Sequence, residues 1–121
     1  MQTYSKDLIA ASTIPIVLSI LQKGDNYGYK IIKEVQQLSE GSLNWKEGSL
    51  YPVLSKLEKN RLIRSYIKKE NGRNRKYYTL NEEGSRFLES IKAEWQSVNQ
   101  IMHLLWNNQT ALSSKQKSRN F

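Results

Sequence analysis

The sequence predicts an α+β fold that is mostly α-helical, because two hydrophobic periodicities follow one another along the chain. Up to about residue 59, apolar residues recur at the helical spacing of three and four. Over residues 62–69 and 75–80 the spacing changes to two, which is typical of strands. Helical spacing then returns from residue 81 to about residue 106. We therefore expect three helices, a two-stranded hairpin and a long last helix.

The composition restricts the class of protein. The 121 residues suit one domain with a helical extension, and the absence of cysteine excludes disulfides and thiolate chemistry. The longest apolar stretch, 14–21, is shorter than the ~18 residues of a membrane-spanning helix, and no signal peptide is evident, so we expect a cytoplasmic protein. A net charge of +8 favours a polyanionic partner, with nucleic acid ahead of an anionic membrane.

The first predicted helix, residues 7–22, is apolar on almost every side and ends at Gly24. A helix of this kind must be covered all round, which in so small a domain implies a second subunit. Pro15 leaves two alternatives for its start. The helix begins at Thr13, with the proline in its permissive first turn, or it begins near Ser5 and kinks. The longer form is favoured.

Two further helices are expected at about 28–38 and 47–59, the first of them capped by Asp25 or Asn26. A short extended strand is expected between them at residues 43–45. Trp45, which closes that strand, is expected to be a packing residue.

The period-two segments indicate a hairpin whose connection, residues 70–74, contains the Asn-Gly pair of tight turns. We expect one of Tyr77 and Tyr78 to be buried and the other to face outward. Asn81 is expected to cap the last helix.

Helix, helix, short strand, helix and hairpin is the order of a winged helix-turn-helix, whose third helix enters the DNA major groove. Hydroxyl and cationic side chains on that helix and at the hairpin tip bind phosphates and reach base edges. The predicted DNA-binding residues are Lys46, Ser49, Tyr51, Ser55 and Lys56 at the third helix, and Arg73, Arg75 and Lys76 at the tip.

The last helix carries an apolar stripe with alternating steps of three and four, as in a coiled-coil seam that faces a partner helix. Its members are Leu88, Ile91, Trp95, Val98, Met102 and Leu105. Trp95 is either plain interface packing or a surface on which a flat molecule stacks. Trp106 is expected to pack, and His103 to be exposed. No catalytic set, metal cluster or phosphate loop stands out, so we expect neither an enzyme nor a cofactor.

Three segments of the chain resemble the PadR family of bacterial transcriptional repressors, and the resemblance covers about residues 8–105. They are Gly24-Asp25-Asn26-Tyr27-Gly28-Tyr29 with Ile31, Gly48-Ser49-Leu50-Tyr51-Pro52-Val53-Leu54 with Leu57-Glu58, and Gly72-Arg73-Asn74-Arg75-Lys76-Tyr77-Tyr78-Thr79-Leu80 with Glu83-Gly84.

The last helix, with one tryptophan in its seam, is similar to that of the multidrug-binding subgroup typified by LmrR. The resemblance implies dimerisation of this helix against the partner's first helix, around a pore in which tryptophans stack on a planar drug. The ligand-binding residues that it implies are Leu8, Ala11, Ile14, Pro15, Trp95, Val98 and Asn99.

Four positions depart from the pattern of the family. Asn99 stands where the subgroup has a carboxylate, Lys92 replaces an apolar pore residue, and Pro15 reshapes the pore mouth. Arg61 replaces the usual glycine after the third helix, and we expect Asn60 to take the left-handed conformation in its place.

The sequence therefore predicts a winged-helix DNA-binding domain at 5–80, a dimerisation helix at 81–107 and a flexible tail at 108–121. The expected function is that of a homodimeric repressor on a pseudo-palindromic promoter site, released by a planar aromatic or drug-like ligand at the dimer centre. The alternatives are a ligand-independent dimeric regulator and a winged-helix module that binds another protein.

Overall fold

The computed structural model describes residues 4–107, which form four helices and a three-stranded antiparallel sheet in the order β1-β3-β2. This confirms the α+β, mostly helical fold class. The predicted tail at 108–121 lies outside the described residues. The elements are α1 (Lys6–Lys23), β1 (Asn26–Tyr27), α2 (Gly28–Leu38), α3 (Glu47–Lys59), β2 (Ile63–Glu70), β3 (Arg73–Leu80) and α4 (Glu82–Asn107).

The longer form of α1 is the one observed. Ser5 caps the helix by accepting a hydrogen bond from the Leu8 N–H at 3.1 Å, and Pro15 lies within it. Two residues before the proline, the Thr13 hydroxyl donates to the Ile9 carbonyl at 2.7 Å. The buried residues of α1 are all in its C-terminal half, at Val17, Leu18, Ile20 and Leu21. The N-terminal half of α1 has no buried side chain, so its apolar residues remain partly or fully exposed.

The short strand precedes α2 and does not follow it, so its predicted position at 43–45 is wrong. Residues Asn26 and Tyr27 pair with Tyr78 and Tyr77 of β3. Because Tyr27 is extended and is itself the N-cap residue, the predicted side-chain capping of α2 is also wrong. The Asn26 side-chain oxygen instead accepts a hydrogen bond from the Tyr27 N–H at 3.0 Å.

The predicted hairpin is confirmed, and its turn is shorter than the expected connection. Asn71 and Gly72 have φ of 50° and 76°, as a two-residue type I′ turn requires. The strands therefore extend to Glu70 and Arg73, which face each other across the ladder.

The core lies between the C-terminal half of α1, helices α2 and α3, and one face of the sheet. Its fully buried members include Leu18, Ile31, Leu50, Leu54, Leu57, Ile63 and Leu88. Tyr77 and Tyr78 point to opposite faces of the sheet. Both are buried, at 8% and 4% exposed, so the predicted contrast between a buried tyrosine and an outward one is wrong with respect to burial. The face of the sheet that carries Tyr77 is covered by the side chains of Tyr27 and Tyr66.

The C-terminus of α3 is a Schellman motif, in which two backbone bonds close the last turn. The N–H of Leu62 donates to the Leu57 carbonyl and the N–H of Arg61 donates to the Glu58 carbonyl, both at 3.0 Å. Arg61 has φ of 64°, whereas Asn60 has φ of −84°. The expectation that Asn60 takes the left-handed conformation is therefore wrong, because the motif requires it one residue later.

Asn81 caps α4 as predicted, since its side-chain oxygen accepts from the Gly84 N–H at 2.8 Å. Two compact units divide the chain after Leu88, so the first turns of α4 belong to the first unit. The division predicted from the sequence lay earlier, at residues 80 and 81. Within residues 4–107, no helix combines the length and the apolar character needed to cross a membrane.

Candidate nucleic-acid interface

Helix α3 presents a polar face to solvent, and the predicted DNA-binding residues of this region are all exposed. Leu50, Leu54 and Leu57 anchor the opposite face in the core. Helical geometry then directs Ser55 and Lys56 away from the core. The exposed set comprises Lys46, Ser49, Tyr51, Ser55 and Lys56.

Two contacts fix α3 within the first unit. The ring of Tyr51 covers Gly28 at the start of α2 so closely that a Cβ at Gly28 would lie 2.6 Å from the tyrosine hydroxyl. Desolvation by this packing, and then the charge of Glu47, raise the pKa of Tyr51. On the other side, the Ser65 hydroxyl donates to the Glu58 carboxylate at 2.6 Å and ties α3 to β2. Tyr51 is therefore a packing residue as well as a candidate DNA contact.

The hairpin formed by β2 and β3 is the wing. Arg73 is exposed directly after its turn, and Lys76 is exposed with its ammonium 5.7 Å from the centre of the Tyr78 ring. Both cations lie at the solvent surface, where phosphates are accessible to them.

Arg75 is placed differently from the other two predicted wing cations. Its side chain is only 26% exposed, and its guanidinium carbon lies 4.4 Å from the centre of the Tyr27 ring. Its Nε is buried without a hydrogen-bond partner, although it lies 3.4 Å from a Glu70 carboxylate oxygen and forms an ion pair there. The structure thus directs Arg75 toward the body of the wing.

Arg75 belongs to a group of side chains that sequence reasoning did not find, here called the outer-face cluster. Tyr77 is at its centre, stacked on Tyr66 at 5.8 Å and in edge contact with Tyr27 at 5.2 Å between ring centroids. The cluster consists of Tyr27, Tyr66, Tyr77, Lys68, Glu70 and Arg75. Alternate residues of a strand share one face. The Asn-Gly turn, placed correctly, therefore predicts that the members on β2 and β3 share one face, but it does not predict that Tyr27 of β1 joins them.

Carboxylates hold both ends of the outer-face cluster. The Tyr77 hydroxyl donates to Glu70 at 2.7 Å, which lowers the pKa of the Glu70 carboxyl and raises that of Tyr77 to about 12. The Tyr66 hydroxyl donates to Asp25 at 2.7 Å and lowers the pKa of that carboxyl. Lys68 and Arg75 are both within ion-pair distance of Glu70.

The candidate ligand-binding residues divide between the two units. In the first unit, Leu8 and Ala11 are exposed while Ile14 and Pro15 are half-buried on α1. In the second unit, Trp95, Val98 and Asn99 are exposed on α4, Trp95 by 43%. A shared ligand site for the two sets stays a prediction.

The remaining singled-out residues have simple environments. Trp45 is half-buried among residues that include Leu43, Leu50 and Val53, as its predicted packing role requires. His103 is exposed, as predicted, with the Asn107 amide 2.7 Å from its ring. Trp106 is 68% exposed. Among the described residues, no three His, Asp or Glu side chains are grouped so that they could hold a metal ion.

A wing, a recognition helix with a polar exposed face and a basic charge balance define a winged-helix DNA-binding protein. A model of the PadR-like family of transcriptional regulators matches residues 17–90. The chain belongs to this family. It is accordingly a DNA-binding regulator of transcription, and the prediction that it is not an enzyme is confirmed by the family.

Individual relatives agree with this assignment. An uncharacterized protein of Lysinibacillus sphaericus is 33% identical over 99 residues, which cover 81% of this chain and 91% of that protein. The transcriptional regulator YqjI of Escherichia coli is 31% identical over 83 residues, 69% of this chain. The matched region spans only 39% of the length of YqjI.

Solved structures are similar as well. A PadR family transcription regulator from Clostridium difficile R20291 is 38% identical with a TM-score of 0.68, covering 78% of this chain and 98% of that one. A transcriptional regulator from Clostridium thermocellum is 33% identical with a TM-score of 0.75, covering 83% of this chain and 95% of that one.

Proposed function

We propose that the protein is a homodimeric repressor whose two copies associate through the C-terminal part of α4. The observation that carries this proposal is the exposed apolar face of that helix. Helical spacing places Ile91, Trp95, Val98, Met102 and Leu105 in one stripe. Trp95, Val98 and Leu105 are exposed by 43–54%. An exposed apolar patch of this extent is typical of an interaction surface.

The spacing of the stripe indicates a second copy as the partner. Alternating steps of three and four keep apolar side chains on a seam between two helices, and the same seam on both copies is self-complementary about a two-fold axis. Full burial of a large apolar side chain contributes about 1.5–3 kcal/mol, so half-exposed members contribute roughly half as much each. Trp106 extends the apolar surface at the end of the described helix.

Two copies related by a two-fold axis would place two α3 helices and two wings on one duplex. We propose that α3 enters the major groove and that Arg73 and Lys76 contact phosphates, on a pseudo-palindromic site with half-sites about one helical turn apart. The exposure of the polar residues of α3 and of these two cations supports this arrangement.

The salt dependence of binding tests the DNA part of the proposal. The probe is a fluorescein-labelled duplex that the wild-type protein has selected from a random-sequence library. Log affinity falls with log salt concentration, and each lost phosphate contact decreases the steepness of that fall by about 0.9. Arg73→Gln and Lys76→Gln should each show that decrease. If the wild-type protein binds no duplex even at low salt, the second alternative, a module that binds another protein, replaces this proposal.

We further propose that a planar aromatic ligand binds against Trp95 in the dimer and releases the DNA. The exposure of Trp95 between apolar neighbours supports a stacking surface, and Lys92 forms an ion pair with Glu89 at 3.2 Å along its own helix. Asn99 is neutral, so this residue supplies no charge that would attract a cationic ligand. The ligand would act by favouring one of two dimer geometries.

Fluorescence quenching by planar aromatic dyes tests the ligand. A variant that retains Trp95 alone, Trp45→Phe with Trp106→Phe, should be quenched, and the bound dye should lower DNA affinity. Trp95→Phe, which keeps an apolar ring in the seam, should remain dimeric but lose most of the dye affinity. No quenching across a broad dye panel would favour the ligand-independent regulator.

A further inference from the structure

The outer-face cluster spans the distance from the turn of the wing to the start of the helix-turn-helix. Glu70 is the last residue of β2 before the turn, and Tyr27 is the last residue of β1. Helix α2 begins at the next residue, Gly28. A chain of side-chain contacts, Glu70 to Tyr77 to Tyr27, therefore links the outer part of the wing to the N-terminus of α2.

The backbone alone connects these parts weakly. Strand β1 has two residues and only two register pairs with β3, whereas β2 and β3 share eight pairs. An isolated two-stranded ribbon is marginally stable and more strongly twisted than a wider sheet. The edge contact of Tyr77 with Tyr27 and the Arg75 guanidinium over the Tyr27 ring add side-chain contacts where backbone pairs are few.

Two observations argue against a direct role of this cluster in contacting DNA. The Arg75 guanidinium is largely covered and is occupied by Glu70 and Tyr27. Glu70 itself is an acid within a basic wing, and its charge would repel phosphates. An acid at this place is explained if it positions its neighbours.

We propose that Tyr77, Glu70 and Arg75 are positioning residues for DNA binding, which fix the wing against the β1–α2 junction without contacting DNA. The inference rests on the proposed function, in which α3 and the wing bind one duplex. Without the cluster, the free protein holds the wing in the binding orientation for only part of the time. The apparent Kd then rises by the inverse of that fraction, while the contacts in the bound complex are unchanged.

The charge of Glu70 gives a test in which the two interpretations have opposite signs. If Glu70 acts only through charge, Glu70→Gln removes a repulsion, frees Lys68 and Arg75, and strengthens DNA binding. If it positions the wing, the same change weakens binding about three- to tenfold. The matched control is Glu40→Gln, which removes an exposed acid outside the wing. Binding is measured by fluorescence anisotropy with the selected duplex.

The two wing arginines give a second test, because Arg73 and Arg75 lie two residues apart on β3. Arg73→Gln should decrease the steepness of the slope of log affinity against log salt by about 0.9, as the loss of one phosphate contact requires. Arg75→Gln should weaken binding without changing the slope. A slope that falls equally in both variants would show that Arg75 contacts phosphate, and would overturn the inference.

Tyr77→Phe keeps the ring and removes only the hydroxyl, so it remains informative if a charge change prevents folding. We expect weaker DNA binding with an unchanged slope, and a thermal midpoint below that of the wild type but above the temperature of the binding assay. Wild-type affinity in Tyr77→Phe, or wild-type or stronger affinity in Glu70→Gln, would overturn the inference. Failure of the wild-type protein to bind any duplex would instead refute the proposed function.

Discussion

At the scale of single residues, Gly84 is a position where the fold leaves no room for a side chain. It lies in the first turn of α4, where a Cβ would meet the carbonyl oxygen of Leu62 and would lie 2.6 Å from Cδ1 of Leu80. One of these two neighbours is backbone, which cannot move without disturbing the start of β2. The approach of α4 to the sheet therefore depends on glycine here.

We expect Gly84→Ala to lower the free energy of unfolding by about 1–3 kcal/mol or more, because the added methyl group overpacks the site. Gly48→Ala is the matched control, since a Cβ there has nothing within 4 Å and alanine favours a helix by roughly 0.5–1 kcal/mol. Urea denaturation measures both. Equal stability of the two variants would show that α4 does not approach the sheet as described.

The raised pKa of Tyr77 predicts that the stability of the fold depends on pH in the alkaline range. Its hydrogen bond to Glu70 raises its pKa from 10.0 to about 12 in the folded chain. Between these values the folded state holds a proton that the unfolded state has lost, so stability decreases as the pH rises. The contribution of the Tyr77 hydroxyl is thus fully present below pH 10 and is lost toward pH 12.

The variant Tyr77→Phe should accordingly be less stable than the wild type at pH 8 and approach it toward pH 12. Urea denaturation at a series of pH values measures the difference. The tyrosinate absorbance near 295 nm should also lose one late-titrating group in the variant. A stability difference that stays constant from pH 8 to 12 would contradict the assignment of the bond.

At the scale of the elements, the end of α3 is held by a non-glycine residue in the left-handed conformation. Arg61, with φ of 64°, carries a steric cost that glycine does not. We expect Arg61→Gly to raise the free energy of unfolding by about 0.5–1 kcal/mol, because the Schellman motif favours glycine there. Differential scanning calorimetry measures the change.

Asn60→Gly is the control for this prediction. Asn60 has an ordinary φ of −84°, so glycine there gains nothing and increases the freedom of the unfolded chain. A stabilising effect at Asn60 together with none at Arg61 would place the left-handed residue where the sequence had suggested.

Some of the helices and strands could be predicted from the sequence, and others could not. The spacing of Leu50, Leu54 and Leu57 predicts α3, and Asn71-Gly72 predicts the hairpin, because these signals act between near neighbours. The strand at Asn26–Tyr27 depends on pairing with residues about fifty positions later. No local signal encodes such a pairing.

In the candidate site, too, features set by near neighbours in sequence could be predicted, and features set by distant pairing could not. Exposure of Ser55, Lys56 and Arg73 could be predicted from periodicity and turn placement. The covered position of Arg75 could not be predicted, because it depends on Glu70 and Tyr27. The register of three strands brings these two residues to one face.

At the scale of the whole molecule, the proposed mode of DNA binding requires two copies of the chain. The apolar face of α4 beyond Leu88 is the surface that a second copy would cover. Leu105→Glu would place a charge within that stripe and oppose association, because burial of an unpaired carboxylate is costly. The control is Gln100→Glu, because Gln100 is polar, exposed and outside the stripe.

The most direct test of the central claim is the mass of the protein–DNA complex, measured by native mass spectrometry with the selected duplex. We expect two chains per duplex for the wild type and for Gln100→Glu, and a loss of this two-chain complex for Leu105→Glu. One wild-type chain per duplex, or an unchanged two-chain complex in Leu105→Glu, would contradict dimerisation through α4.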